Sequence, residues 1–121
     1  MAARAIEVSA ISPYVSNWRL DRARVRVKSM LRSVSATDPL KKAFSIELFD
    51  STGDVKFTFW GAAAQEVFQE IEPDEYYSFP GGRVVQAKVA FNGTGHAYEV
   101  HYNDRVMITK MPPPALPFAL A

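Results

Sequence analysis

The chain has 121 residues, of which 48% are hydrophobic and 22% charged, a balance typical of one globular domain with a buried core. It contains no cysteine, which excludes disulfide bonds and cysteine-ligated metals, and no apolar run long enough for a membrane span or a secretory signal. The net charge is only +1, but residues 1–42 carry nine basic and three acidic side chains, whereas residues 43–121 carry five and ten. This asymmetry predicts one basic surface on an otherwise acidic molecule.

The first predicted strand, residues 18–30, is long and amphipathic. One face carries apolar side chains and the other basic ones: Ala23, Val25 and Val27, against Arg22, Arg24, Arg26 and Lys28. We interpret the basic face as a solvated exterior. The polar loop that follows, residues 31–43, has a proline and basic side chains near both ends, at Arg32, Lys41 and Lys42. Loops of this length inside compact domains are often functional, which makes it a candidate binding loop.

The next two strands, residues 44–50 and 55–60, form a hairpin with a tight turn around Gly53. The second strand alternates strictly, and its two faces hold Val55, Phe57 and Phe59, against Lys56, Thr58 and Trp60. A lysine and a tryptophan on one face suit a ligand with phosphates and unstacked bases, such as single-stranded nucleic acid. Two other interpretations stay open: a bulge could turn Trp60 into the core, or Trp60 could anchor a protein contact.

One helix is predicted over residues 62–72, because apolar side chains recur there at helical spacing and Pro73 stops it. Further strands are predicted at residues 76–79, 83–91 and 97–102. The order of three strands, a short helix and further strands predicts an all-β protein with one short helix. Its fold is expected to be a five-stranded Greek-key OB-fold barrel with the helix between strands 3 and 4. Such barrels bind oligonucleotides on the face of their second and third strands.

No sequence pattern predicts catalysis or a bound group. The two histidines, His96 and His101, have no cysteine partners and no zinc-type spacing, and there is no phosphate-binding loop or nucleophile motif. We therefore expect no metal, no cofactor and no enzymatic activity. Residues 111–121 include four prolines, which predict a Pro-rich linker, or only the end of the chain, after a domain spanning residues 1–110.

Several segments together carry a family resemblance: ISPYVSNW, ARVRVKS, AFSIELFDSTGDVKFTFW and YEVHY. From about Val8 to Lys110, the chain resembles the first high-affinity DNA-binding domain of the replication protein A large subunit. The resemblance implies an OB-fold that binds single-stranded DNA with little sequence preference. It also implies a heterotrimeric complex with further OB domains, contacts with replication and repair proteins, a nuclear location, and no membrane association.

The same resemblance assigns roles to individual positions. The two base-stacking aromatic residues of the family fall on Trp60 and Phe91, and a glutamate near the base edges falls on Glu99. A strand arginine that contacts the backbone falls on Lys56, which keeps the charge without the planar fork. The expected nucleic-acid-binding residues are Arg32, Ser33, Lys41, Lys42, Lys56, Trp60, Lys88, Phe91 and Glu99.

Two positions depart from the family pattern. A loop tryptophan of the family falls on Val34, and a loop arginine falls on Asp38, where the charge has the opposite sign. We expect Lys41 and Lys42 to compensate for the lost cation.

Two alternatives from other functional classes remain open. One is an OB domain that binds proteins, whose basic groove would receive an acidic peptide. The other is a telomere-end or RNA-binding protein built on the same barrel. Weak oligonucleotide binding with retained protein binding would indicate the first alternative. Competition between DNA and RNA of the same sequence, and between telomeric and mixed sequences, would identify the second.

Overall fold

The computed structural model describes residues 3–38, 41–88, 90 and 92–113. The strands in these residues are β1 (Arg4–Ile6), β2 (Trp18–Lys28), β3 (Arg32–Ser33), β4 (Lys42–Asp50), β5 (Gly53–Trp60), β6 (Tyr76–Pro80), β7 (Arg83–Gln86), β8 (Tyr98–Tyr102) and β9 (Thr109–Met111). The helix α1 spans Gly61–Val67, and a 3-10 turn at Val8–Ala10 precedes β2. The prediction of a mostly β protein with one short helix after the hairpin is confirmed. No helix in these ranges is long and apolar enough to cross a membrane.

One sheet contains the described strands, and its hydrogen-bonded order is β7-β8-β5-β4-β2-β6-β9, with β1 beside β2 and β3 beside β4. The hairpin β4–β5 is antiparallel and in register from Asp50–Gly53 to Ala43–Trp60. Strand β8 runs parallel to β5, and β7 pairs antiparallel with β8. The hairpin therefore lies in the middle of the sheet, with β2 on one side and β8 on the other.

The core confirms the alternation predicted for β5. Val55, Phe57 and Phe59 are fully buried. The ring of Phe59 lies between those of Phe44 and Tyr102, at centroid distances of 4.9 and 5.0 Å. Because buried side chains on a strand recur every second residue, the side chains between them point to the outer face of the sheet. The alternation of buried and outward-facing side chains along β5 therefore determines which of its residues can contact a ligand.

Strand β2 carries a bulge near its end that changes the expected faces. Its pairing with β4 shifts between Val25 and Val27, which leaves Arg26 as an extra residue. Beyond the shift, Val27 is 46% exposed, whereas the amine of Lys28 reaches two backbone carbonyls. The prediction that Val27 shares the apolar face and Lys28 the basic face is therefore wrong, because the bulge displaces the alternation by one residue.

The helix ends earlier than predicted, at Val67 instead of residue 72. The amine of Lys28 donates to the carbonyls of Phe68 and Ile71, at 2.5 and 2.8 Å, and lies 4.0 Å from the Phe68 ring centroid. The hydroxyl of Tyr77 accepts a hydrogen bond from the Glu72 N–H at 2.7 Å. Side chains of β2 and β6 therefore form hydrogen bonds with backbone carbonyls and an N–H that a longer helix would have paired internally.

Strand β9 was not expected from the sequence, because Thr109–Met111 adjoins the Pro-rich segment. It pairs with Tyr76–Ser78 of β6, so the folded part of the chain reaches Met111. Residues 114–121, where most of the predicted linker falls, lie outside the described residues. The boundary at residue 110 and the linker stay predictions.

Tyr102 gives the fold an expected sensitivity to alkaline pH. Burial raises the pKa of Tyr102 well above its usual 10.0, and its hydroxyl donates to the Pro80 carbonyl at 2.6 Å. A raised pKa means that the folded state retains this proton after the unfolded state has lost it. The stabilisation is therefore complete below about pH 10 and is lost as the pH rises further.

We expect the free energy of unfolding to fall above about pH 10 with an added slope of about 1.4 kcal/mol per pH unit from this one proton. Urea unfolding of the wild type and of Tyr102→Phe between pH 8 and 11 measures the slope. The pKa of Tyr77 is also raised by burial, but Tyr77 is present in both proteins and cancels in the difference. Parallel pH profiles for the two proteins would contradict this prediction.

Candidate nucleic-acid interface

Trp60 lies on the outer face of the sheet, as predicted, and is partly exposed. The β4–β5 register continues without a shift to the Ala43–Trp60 pair, so no bulge turns the indole into the core. Gly61 follows with φ of 57°, a left-handed conformation that glycine adopts easily and that begins helix α1. The chain therefore leaves the strand immediately after presenting Trp60.

The loop arginine is brought close to the tryptophan. Arg32 of β3 pairs with Ala43, and Ala43 pairs with Trp60, so the three form one row across adjacent strands. Residues directly opposite each other point to the same face, and adjacent strands are about 4.8 Å apart. The guanidinium of Arg32 is exposed, with no ion pair among the described residues. A cation and an aromatic ring therefore lie side by side on the outer face of the sheet. We call this outer face around Trp60 the groove.

A chain of hydrogen bonds holds Trp60 from the other side. The indole Nε1 donates to Nδ1 of His101 at 3.2 Å, and Nε2 of His101 lies 2.9 Å from Oε1 of Glu99. The second oxygen of Glu99 accepts from Nδ2 of Asn92 at 3.1 Å. The side-chain oxygen Oδ1 of Asn92 in turn accepts from the backbone N–H of Thr94 at 2.9 Å. This Trp60–Asn92 chain joins the end of β5 to the loop before β8.

The partners of His101 define the hydrogen-bonding role of each ring nitrogen. An indole N–H can only donate, so Nδ1 of His101 accepts from Trp60. A carboxylate accepts, so Nε2 of His101 donates a hydrogen bond to Glu99. Both ring nitrogens are therefore engaged.

Glu99 itself is only 5% exposed, and its two oxygens already accept hydrogen bonds from His101 and Asn92. Because the residue is almost completely buried, little of its carboxylate is accessible to a base amino group. The base contact expected of Glu99 stays a prediction, and the observed role of the carboxylate is to orient His101.

The far end of the groove is more acidic than the sequence suggested. Lys56 lies directly opposite Glu47 on β4. Arg26 bridges two carboxylates, with its Nη2 2.6 Å from Asp54 and 3.6 Å from Glu47. Burial alone would raise the pKa of Asp54, but hydrogen bonds from Arg26 and from the Gly95 N–H outweigh it and hold that pKa below its usual value. Asp54 therefore stays charged and ties the loop before β8 to the hairpin.

Twelve of the fourteen Lys and Arg side chains fall into two groups. Arg19, Arg24, Arg26, Lys28, Arg105 and Lys110 are engaged by carboxylates or carbonyls. Within the described ranges, other exposed cations make no ion pair or side-chain hydrogen bond: Arg4, Arg22, Arg32, Lys41, Arg83 and Lys88. The second group includes three predicted binding residues, Arg32, Lys41 and Lys88, which remain available to a phosphate.

Two predicted binding residues, Ser33 and Lys42, point away from the row formed by Arg32, Ala43 and Trp60. Ser33 pairs with Lys42, one position along from the Arg32–Ala43 pair, so both face the opposite side of the strand. Their side chains contact each other, with Lys42 Nζ 3.3 Å from Ser33 Oγ. The structure therefore separates this pair from Trp60. Phe91, the second predicted stacking residue, lies outside the described residues.

Sequence reasoning missed His101 and Arg83 as members of this surface. The sequence predicts His101 on the polar face of a strand without a binding role, and in the described part of the chain no cluster of three His, Cys, Asp or Glu side chains could hold a metal ion. Thr58 pairs with His101, and His101 with Arg83, so both lie on the outer face that carries Trp60. The alternation of side chains along β8 indicates that His101 faces outward. That β8 pairs with β5, however, is a long-range contact and is not visible in the sequence.

Comparisons with known proteins identify relatives of this chain. No family model matches it. It is 29% identical over 105 residues to the replication protein A 70 kDa DNA-binding subunit of Xenopus laevis, covering 87% of this chain and 17% of that protein. It is 34% identical over 94 residues to the probable replication factor A 73 kDa subunit of Caenorhabditis elegans, covering 77% and 14%. The chain thus spans less than a fifth of the length of the curated relatives it matches.

Solved structures agree with this relationship. The fold superimposes on a chain of a replication protein A heterotrimer bound to single-stranded DNA with a TM-score of 0.80 at 27% identity, covering 88% of this chain and 24% of that one. It superimposes on DNA-binding domain A of the Saccharomyces cerevisiae protein with a TM-score of 0.72 at 20% identity, covering 94% and 100%. The predicted OB-fold and the predicted family resemblance are confirmed.

Proposed function

We propose, from the premise that this chain is a homologue of one DNA-binding domain of the replication protein A large subunit, that it binds single-stranded DNA. One observation carries the proposal: Trp60 stands partly exposed on the outer face of β5, held by His101, with Arg32 on the same face. A base stacks on the indole, and the arginine neutralises a phosphate.

Stacking accounts for the low sequence preference that we propose. Every base has a π-face, so an aromatic platform accepts all four. Both ring nitrogens of His101 are engaged and Glu99 is buried, so these two side chains beside Trp60 make few hydrogen bonds to a base edge. Phe91 is proposed as the second platform, and Lys41, Lys56 and Lys88 as further phosphate contacts.

The proposal places the domain in a larger assembly. The relatives are DNA-binding subunits, and one similar chain belongs to a heterotrimer bound to single-stranded DNA. We propose that this domain likewise acts beside further OB domains and subunits, in the nucleus, in DNA replication, repair and recombination. It acts by binding alone and catalyses no reaction.

A titration by fluorescence anisotropy tests the proposal. The chain is added to a labelled mixed-sequence single-stranded DNA, with unlabelled RNA of the same sequence and duplex DNA as competitors. We expect saturable binding, weaker competition by the duplex, and an affinity that falls linearly with salt on logarithmic axes. No saturable binding at 50 mM salt would overturn the proposed function, and preferential competition by RNA would indicate the RNA-binding alternative.

Arg32 is expected to contribute to the salt dependence. Replacing Arg32 with glutamine removes one exposed cation beside Trp60, so the slope of log affinity against log salt becomes shallower by about 0.7, the value for one phosphate contact on a single strand. The matched control is Arg22→Gln, another exposed arginine, located where β2 faces β6 and not β4. Equal slopes for wild type and Arg32→Gln would remove Arg32 from the interface.

A further inference from the structure

The row of outer-facing side chains continues one strand beyond His101. Thr58 of β5 pairs with His101 of β8, and His101 pairs with Arg83 of β7. Val84, the next residue of β7, packs against the core, which confirms that Arg83 points outward. The groove surface therefore extends from Trp60 over His101 to Arg83.

Arg83 is the outward-facing cation of this row. Both ring nitrogens of His101 are engaged in hydrogen bonds, so it offers only its ring surface. Arg83 is exposed and makes no ion pair or side-chain hydrogen bond with the described residues. Nearby, Arg105 is engaged differently, because its Nε and Nη2 both bind the carboxylate of Glu66 at 2.6 to 2.9 Å.

The backbone before Arg83 is held firmly against the core. A Cβ built on Gly82 would lie 2.7 Å from the Tyr102 ring and 2.8 Å from Val100 Cγ1, so only glycine lets the turn approach this closely. The hydroxyl of Tyr102 also binds the Pro80 carbonyl in the same turn. The backbone from which the Arg83 side chain projects is therefore held in one position.

An open cavity of about 540 Å³ lies beside this position, between the turn at residues 80–83 and residues 101–107. Its polar lining side chains include Arg83, His101, Asn103, Asp104 and Arg105. The volume is in the range of sites that hold small molecules, so it has room for one nucleotide unit. Two of the charged lining side chains are basic and one, Asp104, is acidic, so the cavity suits a sugar and a phosphate better than a stacked base.

We propose that this cavity is a phosphate subsite in which Arg83 binds the phosphodiester of the nucleotide next to the one stacked on Trp60. The subsite rests on the proposed binding of single-stranded DNA and extends its path past the aromatic platform. The ring of His101 forms the floor between the two, and Arg83 supplies the charge.

The test uses labelled mixed-sequence 12-nucleotide DNAs in which one phosphodiester at a time is replaced by a neutral methylphosphonate. Wild type, Arg83→Gln, Arg83→Lys and the control Arg22→Gln, an exposed arginine outside the cavity lining, are titrated with each. We expect one or two linkages whose neutralisation weakens wild-type binding about threefold but leaves Arg83→Gln unaffected. Arg83→Gln should also have a salt slope shallower by about 0.7, which Arg83→Lys restores and Arg22→Gln does not alter.

The outcomes separate the subsite from the proposed function. If wild type binds the unmodified DNA and Arg83→Gln loses affinity at the same linkages as wild type, the subsite is disproved and DNA binding stands. If Arg22→Gln reproduces the Arg83→Gln pattern, the effect is one of overall charge and the subsite is also disproved. If wild type binds no unmodified DNA, the proposed function itself fails.

Discussion

Replacing Trp60 with alanine is expected to weaken the binding of mixed-sequence single-stranded DNA by roughly 5- to 100-fold. The estimate follows from about 1–3 kcal/mol for one base stacked on an aromatic side chain and about 1.4 kcal/mol for each tenfold change in affinity. Trp60 lies outside the buried core cluster, so the domain should stay folded after the change. Fluorescence anisotropy at fixed salt measures the loss.

Two further variants isolate the stacking contribution. Trp60→Phe keeps a smaller ring but cannot donate to Nδ1 of His101, so we expect an affinity between those of wild type and Trp60→Ala. Tyr14→Ala removes an aromatic side chain that is 88% exposed in the segment before β2, and it should bind DNA as wild type does. If Trp60→Ala binds as tightly as Tyr14→Ala while both remain folded, Trp60 is not a stacking platform.

The second large effect concerns stability and lies one residue earlier on the same strand. Phe59 is fully buried between the rings of Phe44 and Tyr102. Phe59→Ala is expected to lower the free energy of unfolding by about 3–5 kcal/mol, because the lost ring leaves a cavity in the core. Since small domains have only about 5–15 kcal/mol in total, the melting temperature should fall by more than about 10 °C.

Phe49→Ala is the matched control for this change. Phe49 is on the outer face of β4, partly exposed, with the guanidinium groups of Arg24 and Arg26 6.0 and 5.5 Å from its ring centroid. Its truncation removes surface contacts without opening the core, so the loss in stability should be below about 1.5 kcal/mol. Thermal unfolding followed by circular dichroism compares the two. Equal losses would mean that the faces of the sheet are assigned wrongly.

The part of the fold that the sequence predicts well is the part governed by local periodicity. The alternation of β5 alone identifies Phe57 and Phe59 as core and Trp60 as outward, because each residue's face depends only on its position in the strand. The same rule fails at Val27 and Lys28. There the register shift belongs to the pairing of β2 with β4, which sets Val27 opposite Glu47, 20 positions away along the chain.

The candidate site divides in the same way. Trp60 is predictable from the alternation of side chains along its strand, and Arg32 from the basic loop in which it lies. That the two lie side by side depends on the pairing of three strands, β3, β4 and β5. His101 and Arg83 enter the site only through the parallel pairing of β8 with β5, which joins residues more than 40 positions apart. No local pattern marks a histidine that orients a distant tryptophan.

The Trp60–Asn92 chain has a consequence for the energetics of binding. An aromatic side chain that turns freely in solution loses conformational freedom when a base stacks on it, at a cost of about 0.5–1.5 kcal/mol. The indole of Trp60 is already fixed by His101, Glu99 and Asn92 in the free protein, so this cost belongs to folding and not to binding. The platform is preorganised, and a base that arrives finds its surface already in place.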